Sequence, residues 1–465
     1  MVWLNEVLHV TNSFLYANIL IVLLIICGLY FTVKMRFVQF RLLPDAVRSL
    51  KKRASGKEVS SFQALMISTA SRVGTGNIAG ITTAIIAGGP GAVFWMWIMA
   101  FIGGASAFVE STLAQVYKVR DGEHFRGGPA YYIEKGLKSK FFGTIFAVIF
   151  VICFAYGFNP LQTYNISSSL EFYIPNYRQS IYPVILGLVL AIITALVIYG
   201  GASRIGFITS YLVPVMALTY IALGVTITFT NLDKMPAMFE LIFKNAFDFK
   251  AIFGGFAGSC MLIGIKKGLL SNEAGMGSAP NAAAAATVDH PVTQGMVQVV
   301  SALIDTLIIC TTTAFIVLLC GVDLNIGLDG MPFVQAAISN AISPMAIHLI
   351  TFSIFTFAFS SIIGNYYYAE ANLLFIKDSK LFKNIFRFTC VVAVFFGALV
   401  GFDTVWNLAE VLMGVMALVN IISILLLGGK CKIVLNDYMS QKKKGIKEPI
   451  FHAKDCKIEN ADVWE

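Results

Sequence analysis

Ser68-Thr-Ala-Ser-Arg-Val-Gly-Thr-Gly-Asn77, continuing Ile78-Ala-Gly80, is the stretch on which the reading of this 465-residue chain turns. It lies inside an otherwise apolar segment, from about Phe62 to Ala87, of the length needed to cross a bilayer. Gly74 and Gly76 flank Thr75, and polar Asn77 follows at once. Two glycines so close lower helix propensity and let the backbone open. In lipid, freed N–H and C=O groups are tolerable only where they line a protein-enclosed cavity or face a ligand. The stretch therefore predicts a helix broken at mid-membrane, the device with which secondary carriers build substrate and ion sites. The competing reading is close helix packing through small residues.

Composition supports a membrane. Hydrophobic residues make up 57% of the chain and charged ones 13%, too few charges to cover a soluble domain of this size. The first residues, Met1-Val-Trp-Leu-Asn-Glu-Val7, lack the basic start of a signal peptide, so the first apolar segment is expected to be retained. Eight scattered cysteines without a CxxC pair argue against a zinc site or a disulfide framework. The net charge of +8 resides largely in loops and tail, which makes it an orientation signal and not a nucleic-acid one.

Working outward, apolar spans are expected at 14–34, 62–87, 92–117, 142–168, 181–200, 206–229, 251–270, 296–320, 345–376, 383–400 and 404–428. The basic loop carrying Arg36, Arg41, Arg48, Lys51, Lys52, Arg53 and Lys57 is cytoplasmic by the positive-inside rule. Alternation then puts the N-terminus outside, and the 266–292 loop and the C-terminal tail inside. The tail reads as a solvated extension. Five spans cover 62–229 and five cover 251–428, each set opening on a Gly-interrupted helix, at Gly74-Thr-Gly76 and at Gly254-Gly-Phe-Ala-Gly-Ser259. An odd number of spans per set forces opposite orientations. The expected fold is thus an all-α polytopic protein of about eleven transmembrane helices, a five-plus-five inverted repeat preceded by one extra helix. Its parts would be 1–59 (first helix and basic loop), 60–230, 250–428, and a 429–465 cytoplasmic tail.

Several blocks carry a family resemblance. Gly88-Gly-Pro-Gly-Ala-Val-Phe-Trp-Met-Trp-Ile-Met-Ala-Phe-Ile-Gly103 resembles the signature of the alanine or glycine:cation symporters. Gly74-Thr-Gly-Asn-Ile-Ala-Gly80, Gly127-Gly-Pro-Ala-Tyr-Tyr132, Gly268-Leu-Leu-Ser-Asn-Glu-Ala-Gly-Met-Gly-Ser-Ala-Pro-Asn281 and Phe357-Ala-Phe-Ser-Ser-Ile-Ile-Gly364 resemble its other blocks, in order, from about 60 to 428. The resemblance implies a leucine-transporter-like fold and Na⁺-coupled uptake of alanine, glycine or similar small amino acids.

A zwitterion needs donors for its carboxylate, acceptors for its ammonium and a pocket sized to its side chain. The break supplies backbone N–H groups around Gly76, and the Thr75 hydroxyl adds a donor unless it bonds back to its own helix. The resemblance makes Asn77 a substrate or sodium ligand, with an interhelix hydrogen bond as the rival. It makes Gln162 a substrate contact, with helix glue as the rival. Gly258, Ser259 and Met261 are expected to frame the side-chain end of the pocket. Ser360 and Ser361 look like half of a sodium site whose other half is the carbonyls of Ala70 and Val73, since such oxygens suit a hard monovalent ion. Asn365, four residues on, shares the face of Ser361. Many members of the resembling family carry Trp there, so this chain departs from the common pattern.

Four charged residues fall within spans, Arg72, Glu110, Asp305 and Glu370, and each is costly in hydrocarbon. Asp305 is expected to help hold a cation or carry a coupling proton. Arg72 and a carboxylate are read as a possible neutralising pair, Glu110 and Glu370 as anchors, and Lys266 and Lys267 as lying at the inner end of the second broken helix. The five histidines (9, 124, 290, 348, 452) are isolated, and no nucleophile–base set or phosphate loop is present, which argues against an enzyme. The expectation is a plasma-membrane symporter for Na⁺ and a small neutral amino acid. A proton-coupled carrier of the same architecture is the alternative.

Overall fold

The computed structural model describes residues 2–51, 59–122, 124–248, 259–324 and 326–464. The chain begins with α1 (Val2–Leu15), a π turn, and α2 (Ile21–Lys34), so the first helix starts twelve residues earlier than its apolar span suggests. Short helices α3 (Val38–Arg41) and α4 (Leu43–Ser49) follow. Next comes α5 (Ser61–Arg72), opened by a capping box in which Ser60 and Gln63 exchange hydrogen bonds. It stops at Val73 and resumes through a π turn at Gly76–Gly80 into α6 (Ile81–Gly88).

α7 (Gly91–Val116) is the central helix. Small residues from Gly103 to Ala107 let neighbours approach: a Cβ on Gly103 would lie 2.9 Å from that of Ala274. A two-stranded hairpin (Val119–Asp121, His124–Arg126) leads to α8 (Pro129–Gly136), α9 (Lys140–Ile152), a third π turn at Cys153–Phe158, and α10 (Asn159–Ser168). α11 (Tyr182–Ile198) and α12 (Gly201–Thr230) complete the first half, and α13 (Met235–Ala246) packs on α7.

The second half runs α14 (Cys260–Asn272), α15 (Ala279–Ala285), α16 (Pro291–Ile304), a π turn at Asp305–Cys310, α17 (Thr311–Leu319), α18 (Gly330–Ala341), α19 (Ala346–Ile376), α20 (Lys380–Gly397) and α21 (Phe402–Lys443). α14, α15 and α16 pack on α7, while α19 packs on α5, α10 and α12. Seven helices among the described residues are long and apolar enough to cross a membrane. Leu188, Leu218 and Phe229 are more than half exposed on the rim. Such an outward-facing apolar surface calls for lipid.

Two expectations are corrected here. The 266–292 segment is not a loop: Ser271 through Ala286 are buried, because a second helix break and the half-helix α15 are enclosed by α7 and α5. The tail is not a solvated extension either. α21 continues past 428 to Lys443, and the chain then folds back with Phe451, Cys456, Ile458 and Trp464 buried. Trp464 Nε1 donates to the Gln115 carbonyl at 2.8 Å, its ring packs edge-on to Phe451, and Lys135 pairs with Asp462 at 2.6 Å. The charge pattern hid this, because four apolar residues spaced through a polar segment carry the docking.

Trp464→Ala should therefore release the tail, removing about 3 kcal/mol of local docking. Limited trypsin digestion in detergent checks it: cleavage beside Lys454 and Lys457 should accelerate while the helical core survives.

Candidate functional site

At the first break, Val73 leaves helical geometry (φ −77°, ψ 89°) and the backbone groups on either side are met by side chains. The Gly74 N–H donates to Asn77 Oδ1 at 3.0 Å, and the Thr75 N–H donates to Gln162 Oε1 on α10 at 3.0 Å. On the other side, the Ser361 hydroxyl on α19 reaches the carbonyls of Ala70 (3.1 Å) and Val73 (3.4 Å). Only glycine permits this. A Cβ on Gly74 would lie 2.5 Å from Ser361 Oγ and 3.0 Å from Gln162 Oε1. The Thr75 hydroxyl is fully buried with no hydrogen-bond partner. Gly76 rests against Leu270 of α14 in ordinary contact.

A break in the second half spans Glu273–Ser278, between α14 and α15, whereas the stretch expected to carry it, Gly254–Ser259, lies outside the described residues except for Ser259. Glu273 takes a left-handed conformation, and Gly275 and Gly277 have φ of +83° and +89°, which their lack of a Cβ allows. Glu110 of α7 holds this linker. Its carboxylate accepts from the N–H groups of Gly275 (3.2 Å) and Gly277 (3.1 Å) and from Asn420 Nδ2 (2.8 Å), while Tyr132 donates to Asn420 Oδ1. Ser278 closes the turn by donating to Glu273 at 2.5 Å.

The two breaks meet through Asp305. Its carboxylate accepts from Asn77 Nδ2 at 2.6 Å and from Ser271, and Ser271 Oγ lies 2.8 Å from Cys310 Sγ. Asn77 and Asp305 both sit in π turns, which misalign the backbone ladder at functional points. Thr313 donates to the freed Asn77 carbonyl at 2.6 Å.

Ala70, Val73, Gly74, Thr75, Asn77, Gln162, Ser361 and Asp305 are thus brought together, and Asn365 joins them through Ser71, whose hydroxyl donates to its Oδ1 at 2.7 Å. Ser360 is turned away, donating to the Phe357 carbonyl at 2.9 Å and facing Met216 of α12. Ser259 is the N-cap of α14, and Met261 lies roughly 16 Å along that helix from the break, so neither lines this site. Gly258 lies outside the described residues. Glu370 pairs with Lys383 at 2.5 Å and anchors α19 to α20. Arg72 is 3% exposed, and none of its three side-chain nitrogens has a hydrogen-bond partner, so the expected close pair with a described carboxylate is not formed.

Sequence reasoning missed three elements. Lys266 and Lys267 lie within α14, one to two turns before the Glu273–Ser278 break, and clamp Glu410 of α21 at 2.5 and 2.7 Å, with Asn12 of α1 adding a hydrogen bond at 2.6 Å. Ser271 was passed over as part of a loop. The break itself had a legible signal: Arg72-Val-Gly-Thr-Gly-Asn77 and Glu273-Ala-Gly-Met-Gly-Ser278 share a charged residue followed by G-x-G and a small polar residue.

Buried oxygens gathered around two interrupted helices, inside a belt of lipid-facing side chains, belong to a carrier. This is an all-α multi-pass membrane transporter. The model of the sodium:alanine symporter family matches residues 1–453, and the chain belongs to that family. It is 46% identical to the amino-acid carrier protein AlsT of Bacillus subtilis, over 99% of this chain and 98% of that one. It is 44% identical to the probable sodium/glutamine symporter GlnT of the same organism (99% and 96% covered). It is 38% identical to the sodium/alanine symporter AgcS of Methanococcus maripaludis (91% and 95% covered). Its substrates are therefore an amino acid and a cation, and it is not an enzyme.

Proposed function

We propose that this protein is a Na⁺-coupled symporter that imports small neutral amino acids, alanine among them, across the plasma membrane by alternating access. The observation that carries this is the junction of both helix breaks at Asp305, with Asn77 from one and Ser271 from the other. A ligand bound at the first break thereby acts on the second. The substrate carboxylate would replace the side-chain oxygens of Asn77 and Gln162 on the Gly74 and Thr75 N–H groups, and Thr75 Oγ1 would add a donor. Na⁺ would take the Ala70 and Val73 carbonyls and Ser361 Oγ, whose hydroxyl proton would turn away from them. Coupling is then a higher substrate affinity when the ion is present.

Eleven crossings, in an inverted repeat of 60–230 and 250–428, fit the two breaks. Basic loops, the hairpin and the tail gather at one end: Val59 bridges Ala286, Arg126 faces Asp378 at 3.6 Å, and Phe451 N–H donates to the Asp289 carbonyl. By the positive-inside rule that end is cytoplasmic and the N-terminus is outside. At the other end a cavity of about 220 Å³, lined by Tyr164, Asn165, Glu171, Asp329 and Phe402, offers an outer vestibule two residues beyond Gln162.

Uptake of labelled alanine into proteoliposomes under an inward Na⁺ gradient tests this. Uptake should collapse without the gradient, and Ser361→Ala should raise the half-saturating Na⁺ concentration about tenfold. Proton coupling is the second reading, favoured by the neutral donors, Asn77, Ser271 and Thr306, that meet Asp305 among the described residues. Uptake that follows a pH gradient and ignores Na⁺ would replace the first reading with it.

A further inference from the structure

We infer that the C-terminal segment 446–464 is a strap that holds the cytoplasmic side of the carrier shut and has to loosen before substrate leaves on that side. This rests on the alternating-access reading and adds the element that restrains one of its two states. The half-helices on the cytoplasmic side of the two breaks, α5 and α15, end in one knot. Ala286, the residue after α15, forms a parallel bridge with Val59, just ahead of the Ser60 cap of α5, and the Thr287 N–H donates to the Val59 carbonyl at 2.9 Å. Two side chains from the end of α7 hold the same carbonyls. Gln115 Nε2 donates to those of Ala283 and Ala286, the latter at 2.9 Å, and Lys118 Nζ donates to that of Ala286 at 3.0 Å. The lysine thus meets the negative end of a helix.

The tail closes over this knot. Trp464 Nε1 donates to the Gln115 carbonyl, so the residue that holds α15 is itself held. The Lys118 ammonium lies 4.8 Å from the Trp464 ring and 4.1 Å from the Phe125 ring of the hairpin. Covered by these rings, Lys118 is 1% exposed, and keeping water away strengthens its pull on the Ala286 carbonyl. Beside the knot the Phe451 N–H donates to the Asp289 carbonyl at 3.0 Å. At the end of α8, Lys135 pairs with Asp462 at 2.6 Å and Lys138 with Glu459 at 2.8 Å. A path to the cytoplasm between α5 and α15 requires Val59 to part from Ala286. Trp464 keeps its seat only while Gln115 and Lys118 hold α15 against α7. The grip is also of a kind that releases: the Lys138–Glu459 pair is exposed and contributes little, which leaves a few apolar side chains to carry the docking. A contact made in one state and lost in the other biases the balance between them.

Cys456, buried within the strap, reports on its docking. The test is the rate at which a maleimide alkylates Cys456 in the full-length protein in detergent, in Na⁺ alone and in Na⁺ with alanine, with Cys456→Ser giving the background from the other cysteines. Na⁺ alone should favour the inward-closed state and protect Cys456. Adding alanine, which lets the carrier turn inward, should speed alkylation at least about threefold. Trp464→Ala should react at the faster rate in both conditions. In proteoliposomes it should raise the half-saturating external alanine concentration at least about threefold, because less of the carrier stands outward-facing. Trp464→Phe, which keeps a ring beside Lys118 and loses the indole donor, should fall between. Na⁺-driven uptake with Cys456 alkylation indifferent to alanine overturns the strap alone. Alanine-dependent alkylation with unchanged uptake kinetics in Trp464→Ala overturns it too, since the tail would then follow the motion without restraining it. Alanine uptake that ignores the Na⁺ gradient removes the transport reading, and this inference with it.

Discussion

Gly74→Ala is expected to abolish uptake, by at least about 100-fold, in a protein that still folds. The added Cβ would fall 2.5 Å from Ser361 Oγ and 3.0 Å from Gln162 Oε1. Both are ends of side chains that can rotate away, so the helices need not part and the apparent melting temperature should drop by only a few degrees. Rotating them away strips the Ala70 and Val73 carbonyls and the Thr75 N–H of the groups that define the site. Uptake within tenfold of wild type, at equal membrane abundance, would mean that this close approach is packing without a role in transport. Gly76→Ala is the internal control for sterics, since its Cβ would meet Leu270 at an ordinary 3.5 Å.

Glu110→Ala is expected to have the largest effect on stability. It leaves the N–H groups of Gly275 and Gly277 and the Asn420 amide buried without that acceptor. At about 1–3 kcal/mol for each unmet group, partly relieved by water, the cost should reach about 3–5 kcal/mol. Thermal denaturation in detergent should show a drop of several degrees, and uptake should fall with it because the second linker loses its hold. Glu110→Gln keeps one oxygen to accept with, and should recover roughly half of the loss. Equal melting curves for wild type and Glu110→Ala would show that the linker is held by its own turn geometry.

The chain's class and its first break were legible from residues alone. Apolar segments of bilayer length need no partner to be recognised, and Gly74-Thr75-Gly76 weakens a helix wherever it stands. The break at Glu273–Ser278 was harder, because its glycines, Gly275 and Gly277, sit in a stretch that reads as a loop. Hydropathy favours that reading, since Ser271, Asn272, Glu273 and Ser278 are polar. Ser271 is met by Asn77 and Asp305, Ser278 closes on Glu273, and Glu110 takes the linker's N–H groups, so three of the groups that enclose this polar stretch come from other segments. The tail misled for the mirror-image reason: its charges point outward, while a few apolar side chains dock.

Local composition, then, was enough to specify a membrane protein, its broken first helix, and a set of candidates of which Asn77, Gln162, Ser361 and Asp305 lie together at the first break. Long-range packing chose among the candidates: it turned Ser360 aside, reduced Ser259 to a cap, drew Glu410 to Lys266 and Lys267, and left the Asn365 amide unmet. Helix periodicity tells which residues share a face, but which neighbour that face meets depends on contacts between segments hundreds of residues apart, and those are properties of the assembled bundle.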